Sequence, residues 1–151
     1  MKASHRIAYA VLQRWWALTR SCTVGVRVVL HRDGEVLLVR HTYRRDWYLP
    51  GGGVDRGETL EQAARREVVE EVGARPSELV LHGAFTSFAE GRTDHVVVFH
   101  GRVDGEVGRM DREIEEARWF SLHDLPDGTS PATARRIGEF VEGGGPWHGV
   151  W

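Results

Sequence analysis

The stretch Gly52–Ala74, GGVDRGETLEQAARREVVEEVGA, decides how this chain folds and what chemistry it can carry. Thr59 stands where a helix needs an N-cap, its hydroxyl able to accept a backbone N–H that the first turn leaves free. Gly73, ahead of Pro76, supplies the stop. The spacing therefore predicts a helix from about Thr59 to Val72. Each helical residue advances about 100°, so Glu67, Glu70 and Glu71 share an arc of about 100° on one face. Like charges this close disfavour one another's ionisation unless cations neutralise them. Oxygen-only donors that leave room for water and phosphate suit a hard divalent ion, Mg²⁺ or Mn²⁺. A solvated acidic face beside Arg65 and Arg66 is the plainer alternative for EVVEE taken alone.

Moving outward, Thr23–His31 and Glu35–His41 are rich in β-branched residues and flank Arg32-Asp33-Gly34, whose Asp-Gly pair favours a tight hairpin. Trp47-Tyr48-Leu49 reads as a short strand halted by Pro50-Gly51-Gly52-Gly53, a loop whose glycines permit close backbone approach. Beyond the helix, Leu79–Phe88, His95–Val103 and Ala117–Ser121 read as strands, and Pro131–Val141 as a helix. Gly143-Gly144-Gly145-Pro146 reads as flexible. Hairpin-length connections with helices interspersed imply the α/β class, an α/β/α sandwich with a mixed β-sheet rather than a parallel doubly wound one.

Ile7, Val11, Trp15 and Leu18, joined by Ala8, Leu12 and Trp16, recur at helical spacing. The chain thus divides into an N-terminal amphipathic helix at 1–21, a main domain at 22–142 and a Gly/Trp-rich tail at 143–151. Burying such an apolar face against the sandwich is the expected fate of the first segment, with a second copy in a homodimer or a membrane surface as the alternatives, and no catalytic group is expected in it.

A chain of 151 residues suits one domain, and 41% hydrophobic with 28% charged residues suits a globular one. The net charge of -2 argues against a nucleic-acid partner, yet it hides an asymmetry. Residues 1–45 hold nine Lys/Arg against Asp33 and Glu35, a net +7, so the remainder carries -9. A basic front and an acidic back can together hold a metal and a polyphosphate, although solvated strand ends would give the same count. Cys22 is the only cysteine, which rules out an intrachain disulfide, leaves a thiolate zinc site unsupported and fits a reducing cytoplasm. Gln13 and Arg14 interrupt the apolar run at 7–12, so neither a membrane span nor a signal peptide is expected.

The spacing of Gly52, Glu58 and Arg66-Glu67-Val68-Val69-Glu70-Glu71-Val72-Gly73 resembles the signature of the Nudix hydrolases at every fixed position. Seven fixed residues at about 7% each would match by chance in on the order of one chain in a million. Leu37-Leu38-Val39-Arg40, Trp47–Gly53 and Ala117-Arg118-Trp119-Phe120 look like the motif's usual surroundings, extending the resemblance over roughly residues 22–142. It implies the Nudix sandwich and Mg²⁺-dependent hydrolysis of a pyrophosphate linkage in a nucleoside diphosphate joined to another group X: a nucleoside triphosphate, ADP-ribose, a nucleotide sugar or similar.

Carried over by position, the resemblance implies Glu67, Glu70 and Glu71 as metal ligands, with a Gly51 or Gly52 carbonyl as a further ligand. It makes Glu67 and Glu70 catalytic and Arg66 with Glu58 a brace between loop and helix. Glu67 is the favoured general base, with Glu113, Glu115 and Glu116 as alternatives from a later loop. His100 stands where some members carry an acidic ligand. Ala74 replaces a bulkier aliphatic.

Among the residues before the motif, Arg40, His41, Tyr43, Arg44 and Arg45 can meet phosphates, Arg40 and Arg45 as the substrate-binding candidates, since guanidinium forks match phosphate oxygens. Trp47, Phe88 and Trp119 are either core or a platform for a base. Two further readings stay open: an RNA 5′-end pyrophosphohydrolase, which would use a local basic surface, and a non-catalytic nucleotide sensor of the same fold. The latter would be expected to show a damaged glutamate set.

Overall fold

A computed structural model describes residues 22–89, 93–103, 106–108 and 112–151. The expected helix at 1–21 lies outside these residues. The elements are β1 (Cys22–Arg32), β2 (Glu35–His41), β3 (Trp47–Tyr48), α1 (Leu60–Val72), β4 (Val80–Ser87), β5 (Thr93–Arg102), β6 (Ile114–Ser121), α2 (Pro131–Glu142) and β7 (Trp147–Val150).

Among the described residues, seven strands form one mixed sheet in the order β3-β2-β1-β5-β4-β7, with β6 also pairing β2. The Asp33-Gly34 turn does join β1 to β2 antiparallel, through His31↔Val36 and Arg32↔Glu35. Most of β1 instead runs parallel to β5, from Cys22↔Thr93 to His31↔Arg102. Alternation along β1 sends Val26, Val28 and Leu30 to the α1 face, where they meet Ala63, Ala64, Val68 and Val72. Val29 joins Val98, Leu49 and Ile137 of α2 on the other face. The result is the expected α/β/α sandwich.

Helix α1 starts where its cap dictates. The Thr59 hydroxyl accepts the Gln62 N–H at 3.2 Å and the Gln62 side chain accepts the Thr59 N–H at 2.8 Å, a reciprocal capping box. Gly73, left-handed at φ 63°, ends the helix. One expectation needs correction. Strand β6 begins at Ile114, three residues before Ala117, because Glu116 and Ile114 extend the ladder opposite Arg40 and His41. Beyond residues 143–146, Trp147–Val150 adds a parallel strand along β4 that the sequence did not suggest, with Gly83↔Trp147 to Thr86↔Val150. No helix among the described residues is long and apolar enough to cross a membrane.

Candidate active site

The glycine loop is fixed to β1 by backbone bonds from Val26 N–H to Gly52 O and from Val28 N–H to Pro50 O, both 2.9 Å. Arg27, between those anchors, donates to the Leu49 carbonyl at 3.2 Å and to the Gly51 carbonyl. Gly51 adopts φ 136°, and a Cβ there would collide with the Val26 carbonyl, so only glycine fits. The loop thereby lies flat against the sheet and turns its Gly51 N–H toward α1.

That N–H donates to Glu71 Oε2 at 2.8 Å. Glu71 is only 8% exposed, and burial pushes its carboxyl up to about 7, opposed by the Gly51 N–H and by Arg27. His41 Nε2 lies 3.9 Å from Glu71 Oε1. Burial lowers that imidazole, and Arg27 and Arg44 lower it further. Its Nδ1 is buried without a hydrogen-bond partner among the described residues.

Glu67 sits directly under the loop: a Cβ on Gly52 would stand 2.6 Å from its carboxylate. Glu70 is the outermost of the three, its side chain 51% exposed. Arg66 ties the group together. It donates to Glu67 Oε1 at 2.7 Å, to Glu70 Oε2 at 3.2 Å, to both oxygens of Glu58 at 2.7 and 2.9 Å, and to the Gly53 carbonyl at 3.0 Å. Hydrogen bonds from Arg66, then from the Asp55 N–H, hold the Glu58 carboxyl down at about 2, and the Glu58 and Glu67 carboxylates raise Arg66 in turn. The 58–66 pair thus joins the loop after Gly53 to the middle of α1.

Other candidates lie further out. Arg40 donates to Glu115 Oε2 at 3.2 Å and Glu116 Oε2 at 2.6 Å and stacks over Trp47 at 4.9 Å, so its charge is already matched by β6. Glu115 and Glu116 therefore sit on a strand rather than a loop. Glu113 alone precedes β6, and its charge bears on Glu71. His100 turns to the opposite face, its ring 5.2 Å from Phe140 of α2, because strand alternation places it beside Val98's side of the sheet. Trp47 is core, whereas Phe88 is 65% exposed. Arg27 is the residue that sequence reasoning missed: an arginine amid a valine-rich strand signals nothing until the loop carbonyls are seen around it.

A NUDIX domain profile matches residues 22–141, covering the whole assembly just described. The chain belongs to the NUDIX family. Among curated relatives, this NUDIX chain is 33% identical over 108 residues to an ADP-ribose pyrophosphatase of Methanocaldococcus jannaschii, covering 68% of this chain and 64% of that one. It is 36% identical over 120 residues to a MutT4 relative from Mycobacterium tuberculosis, covering 74% of this chain. It spans about half, 48%, of the length of that relative. The crystal structure of a MutT NUDIX hydrolase from Burkholderia pseudomallei superposes with a TM-score of 0.71 at 30% identity, over 79% of this chain and 98% of that one. The relatives include one named as a pyrophosphatase and one named as a diphosphatase.

Donor chemistry fits a hard divalent cation: Glu67, Glu70 and Glu71 offer only oxygen, beside a loop rich in carbonyls. As placed, no three acidic, His or Cys groups among the described residues converge on one point. Arg66 holds Glu67 and Glu70, and the Gly51 N–H holds Glu71. Arg66 supplies the positive charge that a cation would otherwise bring, so cation binding has to draw Glu70 and Glu67 from its guanidinium.

Proposed function

We propose that this chain is a Mg²⁺- or Mn²⁺-dependent hydrolase that cleaves the pyrophosphate linkage of a nucleoside diphosphate joined to a group X. The observation that carries this reading is the pairing of Glu71, buried on the Gly51 N–H, with Glu67 packed under Gly52, both beside the more exposed Glu70. Family membership supports it. Residues 22–142 form the hydrolase unit on this reading, the tail at 143–151 completes its sheet, and the lone Cys22 agrees with a cytoplasmic location.

Glu67, Glu70 and Glu71 would hold the cation, with the Gly52 carbonyl as a further donor. When bound, the cation supplies charge neutralisation on phosphate oxygens and a more acidic water. The chain's own part is positional. Arg27 and the β1 backbone hold the loop, and the Glu58–Arg66 pair sets its height above α1. Glu67 is the favoured acceptor of the attacking water's proton: Arg66 engages its Oε1, while its Oε2 accepts no hydrogen bond among the described residues. Glu113, across from Glu71, is the second candidate.

The deciding experiment follows phosphate or pyrophosphate release from nucleoside triphosphates, ADP-ribose, nucleotide sugars and dinucleoside polyphosphates, with Mg²⁺ and with EDTA. Release that stops in EDTA and returns with Mg²⁺ or Mn²⁺ is expected. Full turnover without metal would refute the mechanism.

A further inference from the structure

Two cavities lie in series beside Glu71. The inner one, about 90 Å³, is lined by Arg27, His41, Tyr43, Arg44 and Tyr48. It reaches the carboxylate cluster through His41, 3.9 Å from Glu71, and through Arg27. The outer one, about 550 Å³, is lined by Arg40, Thr42, Tyr43, Arg44, Arg45 and Glu115. Tyr43 and Arg44 belong to both, so a molecule with one end at the carboxylates has the outer basin as its next volume.

Charge in that basin is unevenly committed. Arg40 and Glu115 both line it, and Arg40 is paired with Glu115 and with Glu116 beyond it. Arg44 lies 5.6 Å over the Tyr48 ring, on the inner side. Arg45 makes no hydrogen bond, ion pair or ring contact among the described residues, and it is exposed at the rim. Tyr43, 65% exposed and 5.2 Å from His41, forms the wall between the volumes. An uncommitted guanidinium facing a volume of this size is a seat for phosphate oxygens, which it can grip in a bidentate fork.

We propose that the outer basin seats group X, and that Arg45 selects an X carrying its own phosphate over a neutral one. This rests on the hydrolase reading above and narrows its substrate class. Arg44 also lines the basin but lies over Tyr48 on the inner side, so among the described residues Arg45 is the cation placed at the rim to meet that anion. The step itself is unchanged: water's oxygen bonds to one phosphorus of the anhydride, the bond from that phosphorus to the bridging oxygen breaks, the bridging oxygen leaves on the other phosphate, and two phosphate esters result, one holding the nucleoside and one holding X, with a proton released to solvent.

The test compares diadenosine triphosphate, whose X is a nucleotide carrying its own phosphate, with ADP-ribose, whose X is a neutral sugar, under Mg²⁺, and repeats it with diguanosine triphosphate against GDP-mannose. The parent protein is expected to favour the phosphorylated member in kcat/KM. Arg45→Gln should lower that preference about tenfold, the scale of one charge-assisted hydrogen bond. Arg135→Gln, an equal change of charge on exposed α2, should leave the preference unaltered. A preference unchanged in Arg45→Gln, or lowered equally by Arg135→Gln, overturns the proposal. Calorimetric titration with inorganic tripolyphosphate and Mg²⁺ gives an arm independent of turnover. Absence of metal-dependent release across the whole panel named above would sink the hydrolase reading, whereas equal tripolyphosphate affinity in parent and Arg45→Gln overturns the seat alone.

Discussion

Glu71 and Gly51 are bound to each other across the site, the Gly51 N–H donating to Glu71 Oε2 at 2.8 Å. This one bond couples the glycine loop to the acidic face of α1. The same buried carboxyl is held up at about 7 by desolvation. Glu71→Gln keeps an oxygen for the Gly51 N–H and removes a charge that burial disfavours. Its rate is expected to fall by at least about tenfold with the melting temperature unchanged or higher. Glu70→Gln should behave alike, and calorimetry beside steady-state rates checks both. Loss of stability without loss of rate would mark the cluster as structural.

Adjacent glycines should fail in different ways. Gly51→Ala puts a methyl group into the Val26 backbone at φ 136°, where neither partner can move, and should destabilise the fold by at least about 2 kcal/mol. Gly52→Ala meets only the end of the Glu67 side chain, which can rotate away. That variant should stay folded and bind Mg²⁺ more weakly. Denaturant melts together with Mg²⁺ titration of activity separate the two outcomes.

Arg66 serves loop and helix at once through Glu58, Glu67 and Gly53. Arg66→Ala should lower kcat/KM by about tenfold or more, because the cluster loses its bracing while keeping every carboxylate. Glu58→Gln weakens only the loop side, so its loss should be smaller. Equal losses in the two variants would count against a shared role for Arg66.

On the opposite face, His31, His82 and His100 span three adjacent strands under α2, with ring centroids 6.0 Å (31–100) and 6.4 Å (82–100) apart. Burial pushes all three imidazoles below their usual range. Arg102 adds to the effect at His31, the other two histidines add to it at His100, and Glu139 opposes it at His82. An imidazole whose folded pKa lies below its unfolded value, about 6.5, resists the charging that unfolding permits. The cluster's contribution to stability is therefore complete above about pH 6.5 and is lost as pH falls through the lower folded values. His41 shifts in the same direction, while the raised Glu71 carboxyl gains stability as pH falls below about 7, so the parent-minus-variant difference isolates the cluster's share. Relative to His100→Phe, the parent's melting temperature should fall as pH drops below about 6.5. Parallel curves for parent and variant would contradict the prediction.

Helix α1 was legible residue by residue because its instructions are local: Thr59 begins it, Gly73 ends it, and three glutamates repeat at its period. What escaped sequence reading depends on distant partners. Arg40 looks free until Glu115 and Glu116, 75 and 76 residues later, fold back onto it. Trp147–Val150 is set among glycines and becomes a strand only because β4 offers an open edge, with Trp151 N–H closing onto the Thr86 carbonyl at 2.9 Å. Arg27 belongs to the same class: its role is created by the Leu49 and Gly51 carbonyls, which local pattern cannot foresee.

The parallel pairing of β1 with β5 joins residues as distant as Thr23 and Asp94, which are 71 apart in the chain. Everything that builds the carboxylate site, from β2 through α1, lies inside that excursion. Closing so long a loop costs chain entropy before its contacts give any return, and such topologies fold slowly. Helix α1 is coded locally, but Gly51 has no Val26 to lie against until β1 is in the sheet. Catalytic competence should therefore return during refolding in step with the whole sheet, as a late and all-or-none event.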